Sequence, residues 1–188
     1  MILSNKTSII IICGWPLSGK SQLATKIHDL TGIHFADIDE ISRVCIGMPN
    51  SRNEIKNRME MAYELLHQTV RVHLEVASAP QSLIIVATYS KSSSWDYLFK
   101  ILKPHDDAIS IKIIWVRPVD DSYENVKKLL LNRIDSEYGG GCNTVKEYFD
   151  VKRTFVPPPI FHLIIDSWFR YSIDECANNT LNYINNTK

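Results

Sequence analysis

The sequence carries no excess charge of either sign: across 188 residues, Lys plus Arg and Asp plus Glu both total 21. That balance gives no global attraction to nucleic acid or to an anionic membrane surface. The scattered Lys and Arg form no basic stripe interleaved with aromatics, the footprint expected of a nucleic-acid groove. Cysteine is sparse as well. Cys13, Cys45, Cys142 and Cys176 include no CxxC pair, which argues against a zinc knuckle or a disulfide framework and fits a reducing cytoplasm. His67 and His73 are six apart, off the i,i+4 face that a helical metal pair needs. No apolar run approaches the roughly 18 residues of a membrane-spanning helix. The N-terminal run leads into a glycine loop and not a cleavage site, so neither a signal peptide nor a membrane anchor is expected. Glycine is also scarce, with 7 in the chain, so the two that follow the first apolar run stand out.

What the chain does have is alternation. Short apolar runs rich in Ile and Val recur at 8–13, 33–38, 82–87, 109–116 and 161–166, and three are apolar nearly throughout, as in strands buried on both faces. Helical spacing runs between them, through Leu23, Ile27 and Leu30, then Met59, Ala62, Leu66 and Val70, then Leu98 and Leu102. Strands alternating with helices over this length predict a single α/β domain, 1–188, with a parallel sheet and right-handed crossovers. Val116 and Phe161 lie 45 positions apart, more than one crossover helix needs. The excess, about 120–158, reads as a lid: helix near 120–135, a break at Gly139 to Gly141, helix at 144–153, and a stop at "VPPP". A terminal helix is expected over 171–185.

The first break in the pattern is "GWPLSGKS", Gly14 to Ser21, which satisfies G-x-x-x-x-G-K-[ST] between a strand and a helix. A buried strand must end there. Gly14 and Gly19 permit backbone geometry barred to other residues, so successive N–H groups can line an anion, and a helix starting at Lys20 adds its positive end. The segment Gly14, Trp15, Pro16, Leu17, Ser18, Gly19, Lys20, Ser21 and Gln22 is therefore the expected nucleotide-phosphate contact. Lys20 is assigned to the β- and γ-phosphates and Ser21 to Mg²⁺. Trp15 also fits a plain core-capping role.

Downstream, "DIDE" places Asp37 and Asp39 at the carboxyl end of the second strand, where open α/β sheets hold their ligands. Phosphoryl transfer to an alcohol gains from a carboxylate that orients the hydroxyl and accepts its proton, and Asp39 is the candidate. Asp37, two residues earlier, either shares that face of a continuing strand or serves Mg²⁺. Acids at a strand end also serve simply as caps of the next helix. Thr88 and Tyr89 end the third strand and are candidate substrate contacts. In the lid, Arg133 is the candidate to stabilise transferring charge while water is excluded, with Gly139 to Gly141 as a hinge. Lys127, Lys128, Lys146, Lys152 and Arg153 read individually as a solvated helix face.

The loop, "TGIHFADIDEISR", the long second helix, "LIIVATYS", "WVRP", the Arg-bearing lid and "HLIIDS" together resemble the small P-loop kinases that phosphorylate metabolites or nucleic-acid 5′-hydroxyls. Shikimate, gluconate and polynucleotide kinases are among them. The resemblance implies a three-layer αβα P-loop NTPase fold, a five-stranded parallel sheet ordered 2-3-1-4-5, and a helical lid. It also implies a catalytic aspartate ending the second strand, matched by Asp39, followed by a substrate-binding arginine, matched one position late by Arg43. Many relatives carry an acid on the third strand in support of Mg²⁺. Val86 stands in its place, which leaves the metal to Ser21 with Asp37 or Asp39, or marks a chain with weakened chemistry. "FVPPP" after the lid has Val156 where polynucleotide kinases are acidic.

The expected function is an ATP- and Mg²⁺-dependent kinase acting on a hydroxyl of a small metabolite or nucleotide-like substrate. Alternatives are a polynucleotide 5′-hydroxyl kinase and a nucleotide-binding regulatory protein without chemistry. A GTPase would need an Asn-Lys-x-Asp guanine reader, and "WVRPVDD" is not one. Oligomeric state is left open.

Overall fold

The computed structural model describes residues 6–46, 52–76, 81–118, 120–134, 142–167 and 172–186. Five strands, β1 (Thr7–Gly14), β2 (His34–Asp37), β3 (Leu83–Ala87), β4 (Ile109–Pro118) and β5 (Leu163–Ser167), pair in parallel in the order β2-β3-β1-β4-β5. The expected order and all five strand positions are thus present. Central β1 has no exposed face. Ile9, Ile11 and Cys13 project to one side of the sheet and Ile10 and Ile12 to the other, all fully buried. Full burial of each such side chain contributes roughly 1.5–3 kcal/mol.

Helices cover both faces. On one lie α3 (Arg52–Val76), through Ala62, Leu66 and Val70, and α4 (Ser92–Leu102), through Trp95, Leu98 and Leu102. On the other lie α1 (Lys20–Thr31), through Leu23, Ala24 and Ile27, and α7 (Ile173–Asn185), through Cys176 and Ala177. Helix ends follow the side chains that satisfy them. Ser172 and Glu175 form a reciprocal capping box at the start of α7, and Gly32, in the left-handed region at φ 74, closes α1 by donating its amide to the His28 carbonyl.

Two local features depart from the expectation. The second strand does not continue to Asp39: it stops at Asp37, whose carboxylate caps the short helix α2 (Ile38–Ile41), and a π-helical turn, Ser42–Ile46, follows. The lid contains α5 (Tyr123–Ile134) and α6 (Val145–Thr154) as expected, but Gly139 to Gly141 lie outside the described residues.

The tightest approach in the sheet is at the end of β1. A Cβ on Gly14 would stand 1.9 Å from the Val116 carbonyl oxygen of β4, at φ 146. We expect Gly14→Ala to lower unfolding free energy by more than about 2 kcal/mol in urea denaturation. Gly32→Ala, which meets no atom within 4 Å at φ 74, should cost only about 1 kcal/mol.

Candidate active site

The loop after β1 is built from three residues at positive φ, Gly14 (146), Leu17 (62) and Gly19 (83). Leu17 is the strained one, since a left-handed non-glycine residue costs about 1–2 kcal/mol. Gly19 is the N-cap of α1 and supplies no side-chain cap, which leaves first-turn amides open to an anion. The Lys20 ammonium donates to the Trp15 carbonyl at 2.7 Å and so folds back along the loop. The Ser18 carbonyl accepts from the Ser167 hydroxyl at 2.6 Å, tying the loop to the end of β5.

The carboxylate expected to meet this loop is there. Asp37, 6 % exposed, divides its two oxygens: Oδ1 accepts the Asp39 amide at 2.8 Å and Oδ2 accepts the Ser21 hydroxyl at 2.5 Å. One oxygen thus caps α2 and the other meets the Ser21 hydroxyl at the start of α1. Val86 lies directly beside Asp37 in the β2–β3 register and packs into the core with Leu23 and Ala24. An acid is therefore present beside position 86 on the neighbouring strand. Ser21 and Asp37 offer the hard oxygen ligands that Mg²⁺ prefers. Among the described residues no group of three His, Cys, Asp or Glu could hold a metal alone, so an ion here would complete its shell with phosphate oxygens and water.

Asp39 is half-buried on the first turn of α2. Its carboxylate stands near Tyr63 of α3, whose hydroxyl is pushed up to about 12, mainly by burial and further by Asp39. The platform under Asp39 is held by a residue that motif reasoning passed over. Arg58, 8 % exposed, donates its Nε to the Ser42 hydroxyl at 2.5 Å and to the Ser42 carbonyl at 3.2 Å, locking the π-helical turn to α3. A signal was present, because Arg58 falls in line with Ala62, Leu66 and Val70 on the buried row of the helix. Arg43 points to solvent on that turn, and Thr88 is half-buried at the end of β3.

Tyr89 corrects an expectation. Placed among the substrate contacts, it is instead fully buried: its ring stacks on Trp95 at 4.7 Å, its amide donates to the Tyr63 hydroxyl at 3.0 Å, and its hydroxyl meets His67 Nε2 at 3.4 Å. At φ 49 its backbone is left-handed, and this turn carries the side chain into the core. His67 is buried with it, and desolvation lowers its imidazole to about 4, so the ring is neutral near pH 7.

The lid rests on the loop through Trp15. Trp15 and Leu17 pack against a small core of Val126, Leu130, Cys142 and Tyr148 from the lid. Lys152 of α6 sits 4.9 Å over the Trp15 ring and pairs with Asp121, so it is not the solvated group expected. Phe155 stacks on Trp115 at 5.6 Å, and the Val156 amide donates to the Ser90 carbonyl at 3.1 Å. Lys127, Lys128, Lys146 and Arg153 are exposed, the last two paired with Asp150. Arg133 lies in the last turn of α5 and its side chain is outside the described residues.

Two clefts lie among the helices, on opposite faces of the sheet. One, of about 170 Å³, is walled by Gly19, Gln22, Leu23, Ile165, Ile173 and Cys176 between α1, β5 and α7. The other, of about 350 Å³, lies between α3 and the segment following β3. No protein-family model and no curated protein matches the chain by sequence. Solved structures do match by shape. A protein of Chloroflexus aurantiacus whose kinase assignment is itself inferred has TM-score 0.73 at 16% identity, covering 96% of this chain and 99% of its own. A sugar kinase from Janibacter sp. has TM-score 0.61 at 15% identity, covering 95% and 94%. The Mycobacterium tuberculosis APS kinase, in complex with AMPPNP and APS, has TM-score 0.57 at 17% identity, covering 97% and 100%. The fold is that of the P-loop kinases.

Within this P-loop kinase fold the structure brings together the loop residues, Ser21, Asp37 and Asp39, and leaves Tyr89 in the core. Among the described residues no helix is long and apolar enough to cross a membrane.

Burial of neutral His67 has a consequence for stability. Its folded value, about 4, lies below its ordinary 6.5, so acidification protonates the unfolded chain first. Its contribution is complete above pH 6.5 and lost as pH falls from 6.5 toward 4. The difference in thermal midpoint between the wild type and His67→Gln should shrink over that window.

Proposed function

We propose that the protein is an ATP- and Mg²⁺-dependent phosphotransferase that moves the γ-phosphoryl group to a hydroxyl of a small molecule. The observation that carries this reading is the 2.5 Å contact between Ser21 at the start of α1 and Asp37 at the end of β2, with Asp39 two residues further along the chain. A phosphate-binding loop alone serves hydrolysis, transport or regulation. Carboxylates at the end of the second strand beside it, with a cleft between α3 and the segment following β3, suit transfer to an alcohol. The sugar kinase and the APS kinase of similar shape support the same class.

In this reading the amides of Gly14 to Gln22 hold the phosphates, Lys20 leaves the Trp15 carbonyl for the β- and γ-phosphates, and the smaller cleft takes the base. Mg²⁺ held by Ser21 and Asp37 would offset phosphate charge. Asp39 orients the acceptor hydroxyl and takes its proton. The acceptor oxygen forms the new bond to phosphorus, the bond from phosphorus to the β,γ-bridging oxygen breaks, and ADP leaves with that electron pair. Lys152 and Arg133 are the lid cations available to the charge that develops, and Arg43 and Thr88 the remaining acceptor-side contacts.

Val86, buried and apolar, favours a second reading in which the nucleotide site is kept for regulation without transfer. Turnover separates the two. Lys20→Ala should abolish ATP binding measured by calorimetry. Asp39→Asn should keep ATP affinity while lowering kcat by about 10²-fold or more, the usual worth of a positioned base. Unchanged transfer in Asp39→Asn would overturn its role, and absence of transfer to any hydroxyl compound would favour regulation.

A further inference from the structure

The larger cleft has a charge pattern that bears on what it binds. Glu60 and Glu64, one turn apart on α3, stand on one wall, and among the described residues Lys91 is the single cationic side chain along its lining. Arg43 does not line it, and Arg58 is committed to Ser42. His67 also borders the cleft as a neutral ring, so it brings no positive charge at pH 7. A carboxylated or phosphorylated acceptor would exchange its hydration for two carboxylates and one ammonium, a net repulsion.

Several groups along the cleft are open to a ligand. Glu60 makes no hydrogen bond or ion pair among the described residues. Glu64 accepts from Gln68 at 2.8 Å and from Tyr97 at 3.5 Å through Oε1, which leaves Oε2 without a partner among the described residues. His67 is 3 % exposed, yet only its Nε2 is engaged, by the Tyr89 hydroxyl, and Nδ1 has no partner among the described residues. His67 lines the cleft, so a polar group of a ligand could reach that nitrogen. The His67 and Tyr97 rings, 5.0 Å apart and inclined at 45°, add aromatic surface, and seryl hydroxyls such as Ser94 complete the rim.

We infer that this cleft takes a polyhydroxylated molecule bearing a protonated amine, an aminosugar or aminocyclitol, with its ammonium group between Glu60 and Glu64 and a ring face on Tyr97 and His67. That this molecule is the phosphoryl acceptor rests on the phosphotransferase reading; the preference of the cleft for an amine does not. Tyr63 borders the cleft and feels the Asp39 carboxylate, which is the link between a ring seated on α3 and the proposed base.

The test is calorimetric titration of the full chain, without nucleotide, using glucosamine and 2-deoxystreptamine, their N-acetylated forms, and gluconate. At least one amine should bind about tenfold or more tighter than its N-acetylated form, as expected when a charge-assisted pair is lost, and gluconate should bind more weakly than either. The double variant Glu60→Gln, Glu64→Gln should erase the preference, and Lys91→Glu should strengthen it. Equal binding of amine and amide, no binding of either amine, tighter binding of gluconate, or a preference surviving the double Gln variant would each overturn the inference. ATP consumption driven by gluconate and not by the amines would also overturn it while leaving phosphotransfer in place. Amine binding without ATP consumption would uphold the cleft's preference and count against phosphotransfer.

Discussion

Everything at the functional edge of this molecule depends on a steric limit at one atom. Where β1 ends, the Val116 carbonyl of β4 occupies the space in which any side chain at position 14 would begin. The most buried strand, paired on both edges and covered on both faces, can leave the sheet only through a glycine. From there the chain has five residues, Trp15 to Gly19, in which to reverse and start a helix packed against the same sheet. It does so through two further left-handed residues, and it reaches Lys20 with amides, lysine and serine gathered at one end of α1.

The acid on β2 works because of how β2 sits in the sheet. The order places β2 two strands from β1, with β3 between them, and register sets Asp37 beside Val86. The Asp37 side chain therefore reaches past an apolar neighbour to the Ser21 hydroxyl. An acid on β3 would occupy a position that Val86 fills with core, against Leu23 and Ala24. Burying an ionised group among those side chains would require partners that the core lacks. Carrying the carboxylate one strand outward keeps it hydrogen-bonded on both oxygens and leaves the core intact.

The lid is joined to the loop and to the segment after β3 by aromatic packing and by single backbone bonds. Trp15 is common to the loop and the lid core, Phe155 stacks on Trp115 at the end of β4, and Val156 reaches the Ser90 carbonyl beside the larger cleft. A residue type that carries no chemistry in the loop motif is thus a contact between the loop and the lid. Edge-to-face and stacked ring pairs of this kind contribute about 0.5–1.5 kcal/mol each beyond the area they bury, enough to order a short helical lid.

The order of strands and helices, the phosphate-binding loop and the pair of carboxylates after β2 were legible in the amino-acid sequence. Each is encoded locally, by runs of Ile and Val, by glycines at positions needing positive φ, and by acids within a few residues of a strand end. Three decisions were not local. Tyr89 entered the core because a left-handed turn follows β3 and Trp95 waits there to stack on it. Arg58 became the brace of the Asp39 segment because a helix 16 residues away in sequence passes beneath Ser42. Val86 stayed apolar because the acid came from another strand. A sequence states which residues are neighbours along the chain and which faces they share, and that determined the fold and the place of the glycine loop after β1. Which side chains meet across strands and helices is set by register and packing, and only the tertiary structure decided them.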